Sequence, residues 1–210
     1  MIHEGDDVLF NALLEPISIE ELIHRGYLTK LRSKHTSLTL DTTGVKKQGG
    51  DYVASQLEAA VDTSDNNTRA VAEIIERGQD RKSWLVFCAG VSHAEHIAEL
   101  MQASGIPSAC VTGGTAKAER ERILNEFKAG ALRCLVNVNV LSTGFDHPGI
   151  DLLAFLRPTM SPGLYVQMAG RGLRIADGKT DCLVLDFAGN VATHGPITAV
   201  KPPRRGRKAD

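Results

Sequence analysis

The chain has 210 residues, of which 42% are hydrophobic and 23% charged, with a formal net charge of −1. That length supports one good core with a small appendage, and the composition is ordinary for a soluble globular protein. No apolar run approaches the roughly 20 residues that span a bilayer, no signal-peptide pattern opens the chain, and the near-neutral balance gives no general argument for nucleic acid, so a cytoplasmic protein is expected.

In chain order, Ser18 with Glu21 reads as a capping box that opens a short helix ending near Gly26. Thr36 to Tyr52 is turn-rich, with Gly44, Gly49 and Gly50, and two helices are expected over Asp51–Ala60 and Asn67–Arg77. A stretch this irregular seldom makes its own core. Residues 1–66 are therefore read as an arm packed on an α/β domain of residues 67–200, followed by a basic, disordered tail over 201–210. The tail holds five basic groups against one acid.

From Trp84 the punctuation becomes regular. Trp84-Leu85-Val86-Phe87-Cys88 is a continuous apolar run, as in a strand buried on both faces. Ser92 with Glu95 forms a second capping box for a helix to about Ala103. Ala109–Val111, Arg133–Val138, Leu152–Leu156 and Asp181–Phe187 read as further strands. Thr115 caps a charged helix ending near Gly130, and Ser161-Pro162 supplies an N-cap and first-turn proline for another. Strands alternating with helices predict a parallel sheet with helices on both faces. Ligands gather beyond the carboxyl ends of such strands. Those ends carry Gly90-Val91-Ser92, Thr112-Gly113-Gly114 and Ser142-Thr143-Gly144-Phe145-Asp146.

Cys88, Cys110, Cys134 and Cys182 stand 22, 24 and 48 residues apart, which is no metal-ligand spacing, and reduced, buried thiols are expected. His93 and His96 lie three apart on one helix with no third ligand in view, so no metal site is assigned. His194, beside Gly195-Pro196, reads as a loop residue.

Residues 167–174, Gln-Met-Ala-Gly-Arg-Gly-Leu-Arg, carry the most chemistry. On a helix, Gln167, Arg171 and Arg174 fall within roughly 60° of one another, with Gly170 and Gly172 leaving bare backbone beside them. Two planar guanidiniums suit an anion with several oxygens, because each fork grips a phosphate bidentately. Alone, the pair reads equally well as a solvated helix face.

Taken together, Trp84–His96, Asn137–Asp146 and Gln167–Arg174 resemble motifs IV, V and VI in the second RecA-like lobe of a superfamily 2 helicase or translocase of the DEAD/DEAH type. Ile17-Ser18-Ile19-Glu20-Glu21-Leu22-Ile23, Gly26-Tyr27-Leu28, Gly49-Gly50-Asp51-Tyr52 and Asp186-Phe187-Ala188-Gly189-Asn190 are similar to segments of RadD-type DNA repair helicases. The resemblance implies that Arg171 and Arg174 reach the γ-phosphate of ATP held on another lobe, while Gln167 places the nucleotide or the attacking water. It implies that Gly144 and Asp146 approach the nucleotide, Asp146 accepting from a ribose hydroxyl. Ser142 and Thr143, with Gly90, Ser92, Thr112 and Gly113, would touch the nucleic-acid backbone; the plainer alternatives are a strand-to-loop turn at Thr143-Gly144 and a simple helix cap at Ser92.

No Gly-x-x-x-x-Gly-Lys-Ser/Thr loop, Asp-Glu-x-His or Asp-Glu-Ala-Asp sequence occurs in the chain. In this family those elements cradle the phosphates and hold Mg2+ on the first lobe, so the chain is expected to work with that lobe in cis or in trans, as the C-terminal lobe of a longer enzyme or as a split or truncated product. The expected function is the second motor lobe of an ATP-dependent DNA helicase or translocase, unable to turn over ATP alone. The alternative is a non-catalytic RecA-like module that docks on a partner ATPase or on nucleic acid. A small-molecule enzyme is disfavoured, because no strand end offers a convincing nucleophile or general base.

Overall fold

In the computed structural model, which describes residues 17–138 and 145–200, the chain enters through a capped helical turn. The Ser18 hydroxyl accepts from the Glu21 amide at 3.1 Å and opens α1 (Ile19–His24). The Glu21 carboxylate turns to Arg25 at 2.6 Å. Next come β1 (Lys30–Lys34) and a tight hairpin of β2 (Lys47–Gln48) and β3 (Asp51–Tyr52). Gly49 and Gly50 turn the hairpin at φ of +62° and +85°, left-handed values that glycine adopts without steric cost. α2 (Ala54–Val61) and α3 (Ser64–Arg77) follow. The helix expected from Asp51 starts late because Asp51 and Tyr52 pair in the hairpin. The helix expected from Asn67 starts early because Thr63 accepts from the Asn66 amide at 3.3 Å and caps it.

Beyond α3 run β4 (Trp84–Cys88), α4 (Val91–Ala103), β5 (Ser108–Val111), α5 (Lys117–Lys128), β6 (Cys134–Asn137), β7 (Leu152–Leu156), α6 (Pro162–Gly170), β8 (Asp181–Asp186) and α7 (Asn190–His194). The large sheet has the order β1-β8-β7-β4-β6-β5, with every pairing parallel. This is the parallel sheet, covered by helices on both faces, that the alternation predicts. β4 shows why its sequence is apolar throughout. Trp84, Val86 and Cys88 pack with Val71, Ile74, Ile97 and Met101 on one face. Leu85 and Phe87 pack with Phe127, Phe155, Tyr165 and Met168 on the other. Successive side chains of a strand alternate between faces, so both sets must be hydrophobic.

β1 departs from the sequence reading. Lys-Leu-Arg-Ser-Lys offers little apolar surface, yet it pairs in parallel with β8 over five positions, from Lys30↔Asp181 to Lys34↔Leu185. As an edge strand it can expose its cationic side chains, a pattern that discourages pairing with a second chain. Residues 17–66 thus supply a sheet strand as well as packed helices, and Leu38, Leu40, Leu57 and Val61 enter the main core.

Two caps also differ. α4 begins at Val91 with Gly90 as N-cap and no side-chain cap, so the box expected from Ser92 and Glu95 does not form. α5 begins after Ala116, and the Thr115 hydroxyl accepts instead from the Thr112 amide at 2.9 Å. All four cysteines are free; three are buried and Cys110 is half-buried.

At the amino end of the sheet the Arg133 guanidinium lies 4.4 Å from the centre of the Trp84 ring. It donates to the carbonyls of Gly78, Gln79 and Arg81 at 2.9, 2.9 and 2.7 Å. The Trp84 Nε1 donates to the same Arg81 carbonyl at 3.1 Å. This knot fixes the end of α3 to the start of β4 and β6.

Candidate functional site

α6 is set up before it begins. Ser161 accepts from the Leu164 amide at 3.3 Å, with Pro162 in the first turn, as its sequence predicts. The preceding loop is pinned from two distant segments. Asp51 accepts from the Thr159 hydroxyl at 2.7 Å and the Met160 amide at 2.8 Å. Asn190, almost fully buried, accepts from the Thr159 amide and donates to the Arg157 carbonyl, both at 3.0 Å. His194 closes α7 and its Nε2 stands 2.8 Å from the Thr159 carbonyl, so it braces this loop rather than sitting in one of its own.

The octapeptide is not one continuous helix. α6 ends at Gly170, Arg171 is its C-cap, and Arg174 lies in the turn beyond. Gly172 is not open to a ligand either: a Cβ there would stand 2.7 Å from Cys182 Sγ and 2.9 Å from Leu153 Cδ1, so the turn is seated on the sheet. Gly170 does face open space.

Both arginines reach the segment after β6. Arg171 donates to the Phe145 carbonyl, and Arg174 pairs with Asp146 at 2.6 Å. The pair is open, with side chains 46% and 60% exposed, so its net worth to stability is at most about 1 kcal/mol. Burial and the neighbouring Arg174 charge lower the Arg171 pKa against the pull of Asp146. Phe145 itself is buried, its ring 6.3 Å from Phe127. Ser142, Thr143 and Gly144 lie outside the described residues. Gln167 is exposed one turn earlier and lines a narrow cleft with Phe87, Cys88, Asn137 and Arg157, which neither Arg171 nor Arg174 borders.

At the start of α4, a carboxylate from α2 already occupies the helix end. The His93 amide donates to Glu58 Oε1 at 3.1 Å, and a Cβ on Gly90 would come within 2.0–2.3 Å of the Glu58 carboxyl atoms. Gly90 is thus required for this close approach. Ser92 sits exposed in the first turn. A second strut joins the same helices, with Asp62 3.0 Å from His96. After β5, Thr112 accepts from the Gly114 amide at 3.3 Å, while Arg120 donates to the Thr112 and Thr115 carbonyls at 3.2 and 3.1 Å. Gly113 is exposed, with open space around it.

Sequence reasoning missed five residues that position these groups: Thr29, Asp51, Glu58, Lys179 and Asn190. Each acts through a polar atom directed at a backbone group far away in sequence, which local periodicity does not register. Among the described residues, no three His, Cys, Asp or Glu side chains form a group that could hold a metal ion, and no helix is long and apolar enough to cross a membrane.

Comparison with known proteins agrees with this architecture. The chain is 31% identical over 194 residues to IRC3 of Saccharomyces cerevisiae, named as an ATP-dependent helicase, and 34% identical over 189 residues to irc3 of Schizosaccharomyces pombe, named as a mitochondrial ATP-dependent helicase. The alignments cover 91% and 88% of this chain but 28% of each relative, so the chain spans little more than a quarter of their length. A fragment structure assigned to the HsdR subunit of a type I restriction enzyme from Vibrio vulnificus shares the fold, with a TM-score of 0.64 at 21% identity over 85% of this chain and 35% of that one. The family described as "Helicase conserved C-terminal domain" matches residues 66–176. With its parallel sheet and that match over more than half its length, the chain belongs to the helicase conserved C-terminal domain family.

Proposed function

We propose that this chain is the second motor lobe of an ATP-dependent DNA helicase or translocase, akin to the RadD-type DNA repair helicases. Arg171 and Arg174 act on the γ-phosphate of ATP held by a first lobe, present in cis or in trans. The observation that carries the reading is the meeting of Arg171 and Arg174 with Phe145 and Asp146, which joins two otherwise separate motifs on one open surface.

The donor set suits a nucleoside triphosphate. Two guanidiniums match phosphoryl oxygens, and Asp146 matches a ribose hydroxyl as acceptor once Arg174 turns to phosphate. Mg2+, held by the first lobe, supplies neutralisation of phosphate charge. Within this chain, Arg174 stabilises the charge that spreads over the transferring oxygens, and Arg171 holds the Phe145–Asp146 segment while sharing that role. Gln167 orients the nucleotide or the attacking water from α6. Gly144 completes the nucleotide contact; Gly90, Ser92, Thr112, Gly113, Ser142 and Thr143 serve the DNA backbone. At the start of α4, phosphate contact requires Glu58 to give way.

The test combines this chain with its first lobe and measures DNA-stimulated ATP hydrolysis. Arg174→Ala is expected to lower kcat by about 10³-fold or more, as removal of a phosphoryl-stabilising guanidinium does. Unchanged turnover sinks the assignment. Stimulation by RNA but not by DNA corrects the substrate while leaving the arginines in place. Tight nucleic-acid binding by the 210 residues alone, indifferent to ATP, favours a docking module instead.

A further inference from the structure

The turn that carries Arg174 is held by two side chains that lie outside the motif. Lys179 Nζ donates to three carbonyls: Pro148 at 3.1 Å, Gly172 at 2.9 Å and Arg174 at 2.7 Å. An ammonium has three protons, so this set saturates it. Gly172 and Arg174 belong to the arginine turn, and Pro148 to the segment that carries Asp146. One half-buried cation therefore fastens both sides of the Arg174–Asp146 pair. From the opposite direction the buried Thr29, just before β1, donates its hydroxyl to the Arg174 carbonyl at 3.0 Å and its amide to the Leu173 carbonyl at 2.7 Å.

These contacts are all to backbone, which makes them independent of where the arginine side chain points. Asp146 holds the guanidinium at rest; Lys179 and Thr29 hold the backbone from which it swings. Such an arrangement keeps the pivot fixed while the side chain changes partner.

We propose that Lys179, with Thr29, is a positioning residue that sets the Arg174 turn against the Asp146 segment, so that the guanidinium reaches phosphate without first ordering its backbone. The proposal rests on the reading of Arg174 given above. A misplacement on the order of 1 Å costs about 10²-fold in rate, so the effect belongs in kcat and not in nucleotide affinity.

The experiment is a double-substitution cycle on the chain combined with its first lobe. Lys179→Met keeps the aliphatic stem and removes the ammonium. It is expected to lower kcat by about 10²-fold, with KM for ATP changed less than threefold, and to have no further effect in an Arg174→Ala background. Thr29→Val, nearly isosteric, is expected to give a smaller loss with the same dependence on Arg174. Amide hydrogen exchange over residues 172–176 of the 210-residue chain reads the clamp without catalysis and is expected to quicken in Lys179→Met while β4 stays protected. A wild-type kcat in Lys179→Met overturns the proposal, as does an equal loss with or without Arg174, or unchanged exchange. Turnover indifferent to Arg174→Ala overturns the arginine assignment together with the proposal. That result is distinct from failure of the clamp alone, in which Arg174→Ala slows turnover and Lys179→Met does not.

Discussion

His93 is fully buried at the start of α4, its Nδ1 3.4 Å from the Ala89 amide. Burial pushes its pKa from 6.5 down to about 4, against the attraction of Asp62 and Glu58. The unfolded chain therefore binds a proton near pH 6.5 that the folded chain refuses until about pH 4. Stability is full above that window and is lost as pH falls through it, by about 3 kcal/mol at most. His96 runs the other way: its bond to Asp62 raises its pKa, so its small contribution is present at low pH and fades as pH rises. Urea unfolding followed by circular dichroism should show a midpoint that falls from pH 7 to pH 4.5, with His93→Asn flattening the fall. An equal fall in the variant would mean that His93 is not its source. None of this was visible in the sequence, where His93 and His96 differ only by three positions. Their opposite behaviour comes from their surroundings: His93 is fully enclosed, whereas the His96 side chain is 55% exposed and bonded to Asp62.

At the scale of elements, α6 depends on the loop that Asp51 and Asn190 hold. Asn190→Ala removes the hydrogen bonds that Asn190 makes with the Thr159 amide and the Arg157 carbonyl. Each such loss costs about 1–3 kcal/mol, so a loss of about 2–6 kcal/mol is expected by urea denaturation, together with weaker exchange protection at the start of α6. A loss under 0.5 kcal/mol would show that water replaces the amide. Strand cores and the Ser161-Pro162 start were legible, because each is written in consecutive residues. Helix starts at Ser92 and Thr115 were misread for the opposite reason. Both hydroxyl residues fit a local cap, but Glu58 takes the first helix end and the Thr112 turn takes the second hydroxyl. The octapeptide read as one helix face because periodicity does not register the seating of Gly172 on Cys182 and Leu153.

For the whole molecule, the sheet closes on an element that hydropathy did not mark. β1 covers the edge of β8, and Arg32 meets Asp181 at 3.0 Å beside the Arg81–Asp181 pair. A chain beginning at His35 would uncover that edge and the apolar surface beneath Leu31. It is expected to melt several degrees lower and to associate, since an unpaired parallel strand invites pairing. Thermal melts and light scattering check this, and an unchanged midpoint with a monodisperse sample would count against a structural role for β1. The parallel order of the other strands followed from their alternation with helices; the position of β1 required the coordinates, because its pairing spans 151 residues from Lys30 to Asp181.

Trp84 is the only tryptophan in the chain, and it lies fully buried beneath the Arg133 guanidinium. Its strand stands fourth in the six-stranded sheet, between β7 and β6. The protein consequently carries one indole, which can be excited selectively over its three tyrosines, lodged where α3, β4 and β6 are tied together. A red shift of its emission would signal opening of that tie, whichever segment had moved first. Movement confined to the arginine turn would leave it silent, which separates global unfolding from local change in a single optical trace.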